Sequence, residues 1–133
     1  MLRSRAYIMP LTLFLLSLAL RLALISKGPY HLDCLNLALR SQETLETLRL
    51  HYLFGFGYPM AVVLGAFFQF FTRLFSVQDP VFAVNLMAVV FGALCIPANY
   101  SVARKLFDET TALCSSIMLS VTPIFLGVSV YGM

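Results

Sequence analysis

The hydrophobic residues of this chain fall into four blocks that are separated by short polar stretches. Three blocks are almost continuously apolar and approach the ~20 residues that a helix needs to cross a bilayer: residues 6–26, 81–103 and 111–131. The fourth block, residues 60–77, is shorter and contains Gln69 and Arg73. The pattern predicts an all-α integral membrane protein with three transmembrane helices and one apolar helix that only dips into the membrane.

A long connection, residues 27–80, joins the first two predicted spans and contains an amphipathic segment. Within residues 33–52, apolar side chains recur at spacings near 3.6 and form one helical face: Leu35, Leu39, Leu45, Leu48 and Tyr52. The opposite face is polar and charged, so the segment is too polar to span a bilayer. It predicts a juxtamembrane helix that lies along the surface with its leucines toward the lipid.

Basic residues near the ends of the spans indicate the topology. The three-span arrangement places four of them on the same side of the membrane: Arg3, Arg5, Arg104 and Lys105. The positive-inside rule then puts the N-terminus in the cytoplasm and residues 27–80 outside as the first outer loop. A cleaved signal peptide is disfavoured because Arg21 interrupts the apolar stretch and no small-residue cleavage site precedes Lys27.

Composition narrows the class of protein further. The 133 residues are 60% hydrophobic and only 11% charged, with a formal net charge of +3. These values exclude a water-soluble domain and an intrinsically disordered chain. The sequence also contains no dense basic patch that would bind a nucleic acid. Cys34, Cys95 and Cys114 are far apart and lack the spacing of a metal site.

Small residues and prolines indicate that the helices pack against further helices. Small-xxx-small pairs occur in the apolar blocks, as at Ala61 and Gly65 and at Ser116 and Ser120. Prolines within spans also require neighbours that satisfy the freed carbonyls. The chain therefore looks like part of a larger bundle, which the remaining helices of a longer chain or a partner membrane protein would complete.

The order of these parts resembles that of a known superfamily. An early aspartate, Asp33, and a Gly-Tyr-Pro element at residues 57–59 precede "VFAVNLMAVVFGALCIP", a charged turn and "ALCSSIMLSVTPIFLGVSVYG". This resembles the N-terminal third of the multi-span glycosyltransferases of the C-type fold that use polyprenyl-phosphate sugars. Protein O-mannosyltransferases and aminoarabinose transferases are relatives. Cys34 and Ala83 stand where relatives often carry an acidic residue and an arginine, respectively.

The resemblance implies a function. Residues 1–133 would form the N-terminal portion of a glycosyltransferase-like membrane domain, inactive by itself, and a prokaryotic plasma membrane is favoured over an endomembrane. The expected partner is a lipid-linked sugar donor, from which a sugar passes to an acceptor on the outer face. Two alternatives stay open: a small non-enzymatic membrane subunit that packs against a larger partner, and a transporter fragment.

The same resemblance assigns candidate site residues. Asp33 is the candidate general base, because a carboxylate can accept the proton that the acceptor loses. Four basic residues are candidates for binding the donor phosphate: Arg21, Lys27, Arg40 and Arg73. His31 and Tyr58 are weaker candidates. A divalent metal ion is compatible with a phosphate leaving group, but no metal ligands follow from the sequence.

Two of these residues also have purely structural interpretations. Asp33 stands where the amphipathic helix begins, and aspartate is a preferred N-cap. Arg21 is close to the outer end of its span, where it could extend its charge to the membrane surface. The alternative is that Arg21 faces a polar cavity and binds an anion.

Overall fold

The computed structural model describes residues 2–53 and 58–131, and their side chains from Tyr7 onward. It contains six α-helices: α1 (Leu2–Leu24), α2 (Leu32–Thr47), α3 (Pro59–Leu74), α4 (Pro80–Leu106), α5 (Glu109–Val121) and α6 (Pro123–Val130). The described residues contain no β-strand. The predicted all-α class is thereby confirmed.

Two helices are long and apolar enough to cross a membrane. They are α1, over Tyr7–Leu24, and the whole of α4. A third candidate is the pair α5 and α6, whose axes differ by 58°. The structure therefore has two spans, or three if the bent pair crosses as one, and it agrees with a multi-pass membrane protein.

The break within the predicted span 111–131 falls at Pro123. Thr122 before it has extended backbone angles, with φ −58° and ψ 121°. Proline has no N–H for the helical ladder and disfavours helical angles in the residue that precedes it. The predicted continuous helix is therefore two helices in the structure, and α6 restarts with Leu126 N–H donating to Thr122 O at 2.9 Å.

The chain divides into two compact units, which we call the span unit (Met1–Leu24 and Val89–Val130) and the loop unit (Ile25–Ala88 and Tyr131–Met133). In the span unit, α1 packs against α6, and α5 packs against α6. Its apolar core joins Leu13 of α1 with Ile96 and Tyr100 of α4 and Ala112 of α5.

In the loop unit, α2 packs along α3. The buried side of α2 consists of Cys34, Leu37, Ala38 and Ser41, and all of these except Leu37 are small. Small residues let the two backbones approach closely, and a Cβ on Gly65 of α3 would meet the Cβ of Ser41 at 3.0 Å. Gln69 of α3 adds a hydrogen bond from its Nε2 to Ala38 O, at 2.9 Å.

Only part of the leucine-rich face predicted for the amphipathic helix packs within the loop unit, where Leu35 is packed against the core cluster. Leu39 is 46% exposed and Leu48 is 87% exposed. Their contact with lipid stays a prediction. The helix is also shorter than the predicted 33–52, because Leu48 adopts a left-handed conformation, with φ 54°, and ends it.

The apolar segment predicted over 60–77 is α3. Its 16 residues correspond to about 24 Å of helix, which is less than the ~30 Å hydrocarbon core of a bilayer. That length suits a helix that dips into the membrane, as the sequence predicts. Ser76, with φ 62°, turns the chain shortly after it ends.

Candidate functional site

Asp33 lies in the first turn of α2, and it does not cap that helix. The N-cap is His31, whose backbone is extended and whose Nδ1 accepts the Asp33 N–H at 3.3 Å. The capping interpretation of Asp33 was therefore wrong by two positions. The Asp33 carboxylate is 56% exposed, so it is not closed off by neighbouring side chains.

The imidazole of His31 is close to two different atoms of Asp33. Its Nδ1 lies 3.3 Å from the backbone nitrogen and 3.4 Å from carboxylate Oδ2. A neutral ring with its proton on Nε2 can accept the N–H bond, whereas a protonated ring can pair with the carboxylate. His31 therefore orients the first turn of α2, a role that the sequence did not indicate.

A buried amide anchors the loop before Asp33. Asn85 of α4 is fully buried and its Nδ2 donates to Ser26 O at 3.0 Å and, at 3.4 Å, to Gly28 O. Its Oδ1 accepts from the Cys34 thiol, also at 3.4 Å. Burial raises the pKa of Cys34, which keeps the thiol protonated as the donor. The sequence by itself shows Asn85 only as a polar residue within an apolar run.

Two of the four phosphate candidates already pair with carboxylates in the loop unit. Arg40 Nη1 lies 2.7 Å from Glu43 Oε2, and Arg73 Nη2 lies 3.0 Å from Glu46 Oε1. Hydrogen bonds from Gln42 and from Arg73 lower the pKa of Glu46. The paired carboxylate offsets the charge of each arginine and so weakens its attraction for a phosphate.

Lys27 differs from these arginines. It is exposed, and in the part of the chain with described side chains it forms no ion pair. It belongs to the loop that leads into Asp33. Among the four candidates, Lys27 is the one whose charge is accessible without breaking another interaction.

Arg21, the fourth candidate, is enclosed within the span unit. Its side chain is fully buried, so the snorkelling interpretation is wrong. Nε donates to Ser129 Oγ at 2.9 Å, Nη1 donates to the backbone oxygen and hydroxyl of Ser17, and the guanidinium lies 5.1 Å from the Phe125 ring centroid. Nη2 has no partner among the described residues. Arg21 therefore joins α1 to α6 and is closed to an entering ligand.

Further aromatic and polar side chains are also accessible. Tyr58 is exposed and precedes α3 in a left-handed conformation, whereas Gly57 of the Gly-Tyr-Pro element lies outside the described residues. Tyr30 stacks on Tyr131 with ring centroids 4.5 Å apart. A polar cleft of about 330 Å³ is lined by Gln42, Glu46, Arg73 and Gln78.

No metal centre can be constructed from the described side chains. Within residues 7–53 and 58–131, no three His, Cys, Asp or Glu side chains come together as a ligand set. The three cysteines in this part of the chain are free thiols, Cys34 buried and Cys95 and Cys114 exposed. Of the candidate site residues, Asp33 has an exposed carboxylate and Lys27 an exposed ammonium group.

Comparisons with known proteins place the chain in a family. The family model described as dolichyl-phosphate-mannose-protein mannosyltransferase matches residues 59–132, which is more than half of the 133 residues. The match covers α3 to α6 and begins after Asp33. No curated protein and no solved structure matches the chain. With its apolar helices, the chain is a multi-pass membrane protein that belongs to the dolichyl-phosphate-mannose-protein mannosyltransferase family of glycosyltransferases.

Proposed function

We propose that this protein takes part in transferring a sugar from a polyprenyl-phosphate donor to an acceptor hydroxyl at the outer face of the membrane. The observation that carries the proposal is the family match over residues 59–132. The family's description names a dolichyl-phosphate donor and mannose, so mannose is the first sugar to test. The apolar helices supply the membrane setting that a lipid-linked donor requires.

In this proposal Asp33 is the general base. An acceptor hydroxyl loses its proton as its oxygen attacks the anomeric carbon, and a carboxylate within hydrogen-bond reach can take that proton. Asp33 suits the role because its carboxylate is 56% exposed and because His31, not Asp33, caps α2. Neighbouring carboxylates on α2 suit it less: Glu43 and Glu46 are both paired with arginines.

Lys27 is the proposed partner of the donor phosphate. As the glycosidic bond breaks, negative charge develops on the phosphate, and a cation beside it stabilises that charge. Lys27 is exposed and lies six positions before Asp33 in the same loop. The charges of Arg40 and Arg73 are offset by their carboxylates, and Arg21 would have to leave the interior of the span unit.

The test compares two carboxylate substitutions on α2 in the complete protein. Asp33→Asn should lower sugar transfer by the ~10²–10⁴-fold typical of a lost general base. Asp33→Ala should cause the same loss, because the cap belongs to His31 and survives in both variants. Glu43→Gln, which removes an exposed carboxylate of the same helix, is the matched control and should retain activity.

Turnover is measured with a polyprenyl-phosphate-mannose donor at matched folded yield. Normal turnover in Asp33→Asn would end the catalytic interpretation of Asp33. A similar loss of turnover in Asp33→Asn and Glu43→Gln would show that removing either negative charge from α2 lowers activity, so that the effect is not specific to Asp33. Absence of transfer in the wild-type complete protein, tried with several polyprenyl-phosphate sugars, would refute the proposed function itself.

A further inference from the structure

One buried amide side chain connects the two stretches of backbone that carry Lys27 and Asp33. Asn85 Nδ2 donates to Ser26 O at 3.0 Å and to Gly28 O at 3.4 Å, and these two carbonyls flank Lys27 on either side. At the other end of the amide, Oδ1 accepts from the thiol of Cys34, the residue that follows Asp33. Asn85, Ser26, Gly28 and Cys34 all belong to the loop unit.

We propose that Asn85 is a positioning residue that sets the spacing between Lys27 and Asp33 for sugar transfer. The inference rests on the proposed function, because it assigns Asn85 a part in that same site. Asn85 touches neither the acceptor nor the donor. It acts by fixing the backbone from which the proposed phosphate partner and the proposed base extend.

The chemistry of the three contacts explains why an asparagine is needed. The contacts require a donor toward the two carbonyls and an acceptor toward the thiol, and a primary amide provides both in one planar group. Aspartate would offer only acceptors when ionised, and leucine would offer neither. Asn85 is fully buried, so an apolar side chain in its place would leave no donor for the Ser26 carbonyl and no acceptor for the Cys34 thiol, whereas Gly28 O would keep its bond from the Ser26 hydroxyl at 2.9 Å.

Cys34 provides a readout of this arrangement that does not depend on catalysis. Its side chain is 1% exposed, so a thiol reagent reaches it only when the first turn of α2 and the loop before it open. The two other cysteines, Cys95 and Cys114, are exposed. Replacing both with alanine leaves Cys34 as the single thiol of these 133 residues, and cysteines elsewhere in the complete protein are replaced in the same way.

The experiment introduces Asn85→Leu into the complete Cys95→Ala, Cys114→Ala protein in nanodiscs. Asn99→Leu is the matched control: Asn99 is also an asparagine of α4, but it bonds to Ser115 and Ser116 in the span unit. Asn85→Leu should raise the rate of Cys34 maleimide labelling by at least about tenfold, as expected for loss of buried hydrogen bonds. Asn99→Leu should leave that rate at the parent value.

Kinetics separate positioning from loss of fold. Asn85→Leu should lower kcat by about 10²-fold, as small misplacements of reacting groups do, while the donor KM stays within about threefold. Asn99→Leu should leave kcat unchanged at matched folded yield. If Asn85→Leu does not fold, Asn85→Ser, which removes the amide with less steric change, is measured in the same way.

Parent-like labelling of Cys34 in a folded Asn85 variant would overturn the inference. A parent-like kcat in a variant that labels rapidly would do so as well, because the loop would then be open and transfer undisturbed. If the wild-type protein transfers no sugar, the proposed function fails. The labelling rates of Asn85→Leu and Asn99→Leu would still decide whether Asn85 holds the loop.

Discussion

The span unit buries one of its cations, whereas the described cations of the loop unit are exposed. In the span unit, Arg21 is fully buried and its partners are hydroxyls, a carbonyl and an aromatic ring. In the loop unit, Arg40 and Arg73 are partly exposed and pair with carboxylates, while Lys27 is exposed without an ion pair among the described residues. Arg21, a cation within an apolar run, is therefore a packing element, and the accessible charge of Lys27 follows that run.

The largest expected effect comes from the predicted topology, which places two regions of the chain on opposite sides of the membrane. On a Cys-free background, Arg49→Cys should be labelled in intact cells by a membrane-impermeant maleimide, because residues 27–80 are predicted to lie outside. Lys105→Cys should be protected until the membrane is permeabilised. These positions are chosen because both are exposed, and because Asp108, a direct alternative, caps α5 through Thr110 and Thr111.

Labelling of both cysteines in intact cells would overturn the three-span arrangement and make α3 a true span. Protection of both would place α2 in the cytoplasm. The matched control is a cysteine at Arg40, in the same helix as Glu43 and close to the beginning of the predicted outer loop. It should be labelled if Arg49→Cys is labelled and protected if Arg49→Cys is protected.

The second prediction compares the tightest helix contact of each unit. A Cβ on Gly92 would overlap the Cβ of Ser129 and lie 3.2 Å from Arg21 Nε, whereas a Cβ on Gly65 would overlap mainly the hydroxyl of Ser41. A hydroxyl can rotate away, but a Cβ moves only with its backbone. Gly92→Ala should therefore cost ~1–3 kcal/mol of unfolding free energy, the usual cost of overpacking, and Gly65→Ala should cost less.

Thermal midpoints in one detergent would measure this difference. Ser129→Gly combined with Gly92→Ala should recover much of the loss, because it removes the Cβ that the new methyl group meets. Ser129→Gly alone is the control for the lost hydrogen bond to Arg21. Equal midpoints for Gly92→Ala and the parent would show that α4 and α6 can separate at this point without cost.

Much of the fold follows from the sequence because long apolar runs leave a chain few alternatives in a membrane. The helices over 6–26 and 81–103 were predicted from length alone, and α1 and α4 are the two helices that qualify as spans. The prolines were harder to interpret. Pro97 remains inside α4 while Pro123 separates α5 from α6, and the residues next to them in sequence do not distinguish the two outcomes.

The candidate site was predicted less completely, since its contacts connect residues that are distant in sequence. Arg21 meets Ser129, 108 positions later, and Asn85 meets Ser26, 59 positions earlier. A pattern read along one helix does not contain such pairs. The capping role of His31 was missed for a different reason. The first residue of a helix can be located only to within a few residues, and the N-cap lies two positions before Asp33.

The third prediction concerns the buried cation. Arg21→Leu should leave the unfolding free energy unchanged or raise it by about 1 kcal/mol, because a hydrophobic side chain avoids the cost of burying a charge. No carboxylate bonds to Arg21 in the described part of the chain, and Ser129 retains its bond to Leu126 O at 2.9 Å. Arg104→Leu, at a half-exposed arginine of α4, is the control.

Thermal midpoints and transfer activity together decide what Arg21 does. A strong fall in the midpoint would mean that the bonds to Ser17 and Ser129 outweigh the cost of burial. Loss of transfer at an unchanged midpoint would return Arg21 to the set of phosphate partners. Parent-like values for both would confirm Arg21 as a packing element of the span unit.

The smallest expected effect is at the exposed ion pair between Glu46 and Arg73. Hydrogen bonds from Gln42 and from Arg73 lower the pKa of Glu46, so the ionised form is the one that the folded loop unit favours. Its contribution is present above the ordinary pKa of a glutamate and is lost as the pH falls through the lowered value. Because the pair is exposed, salt should weaken it further. Glu46→Gln should therefore give a thermal midpoint that is slightly lower near neutral pH and equal to the parent's in acid, while Gln42→Ala should give part of the same change. A midpoint difference that persists in acid would show that Glu46 stabilises α2 and α3 through contacts other than its charge.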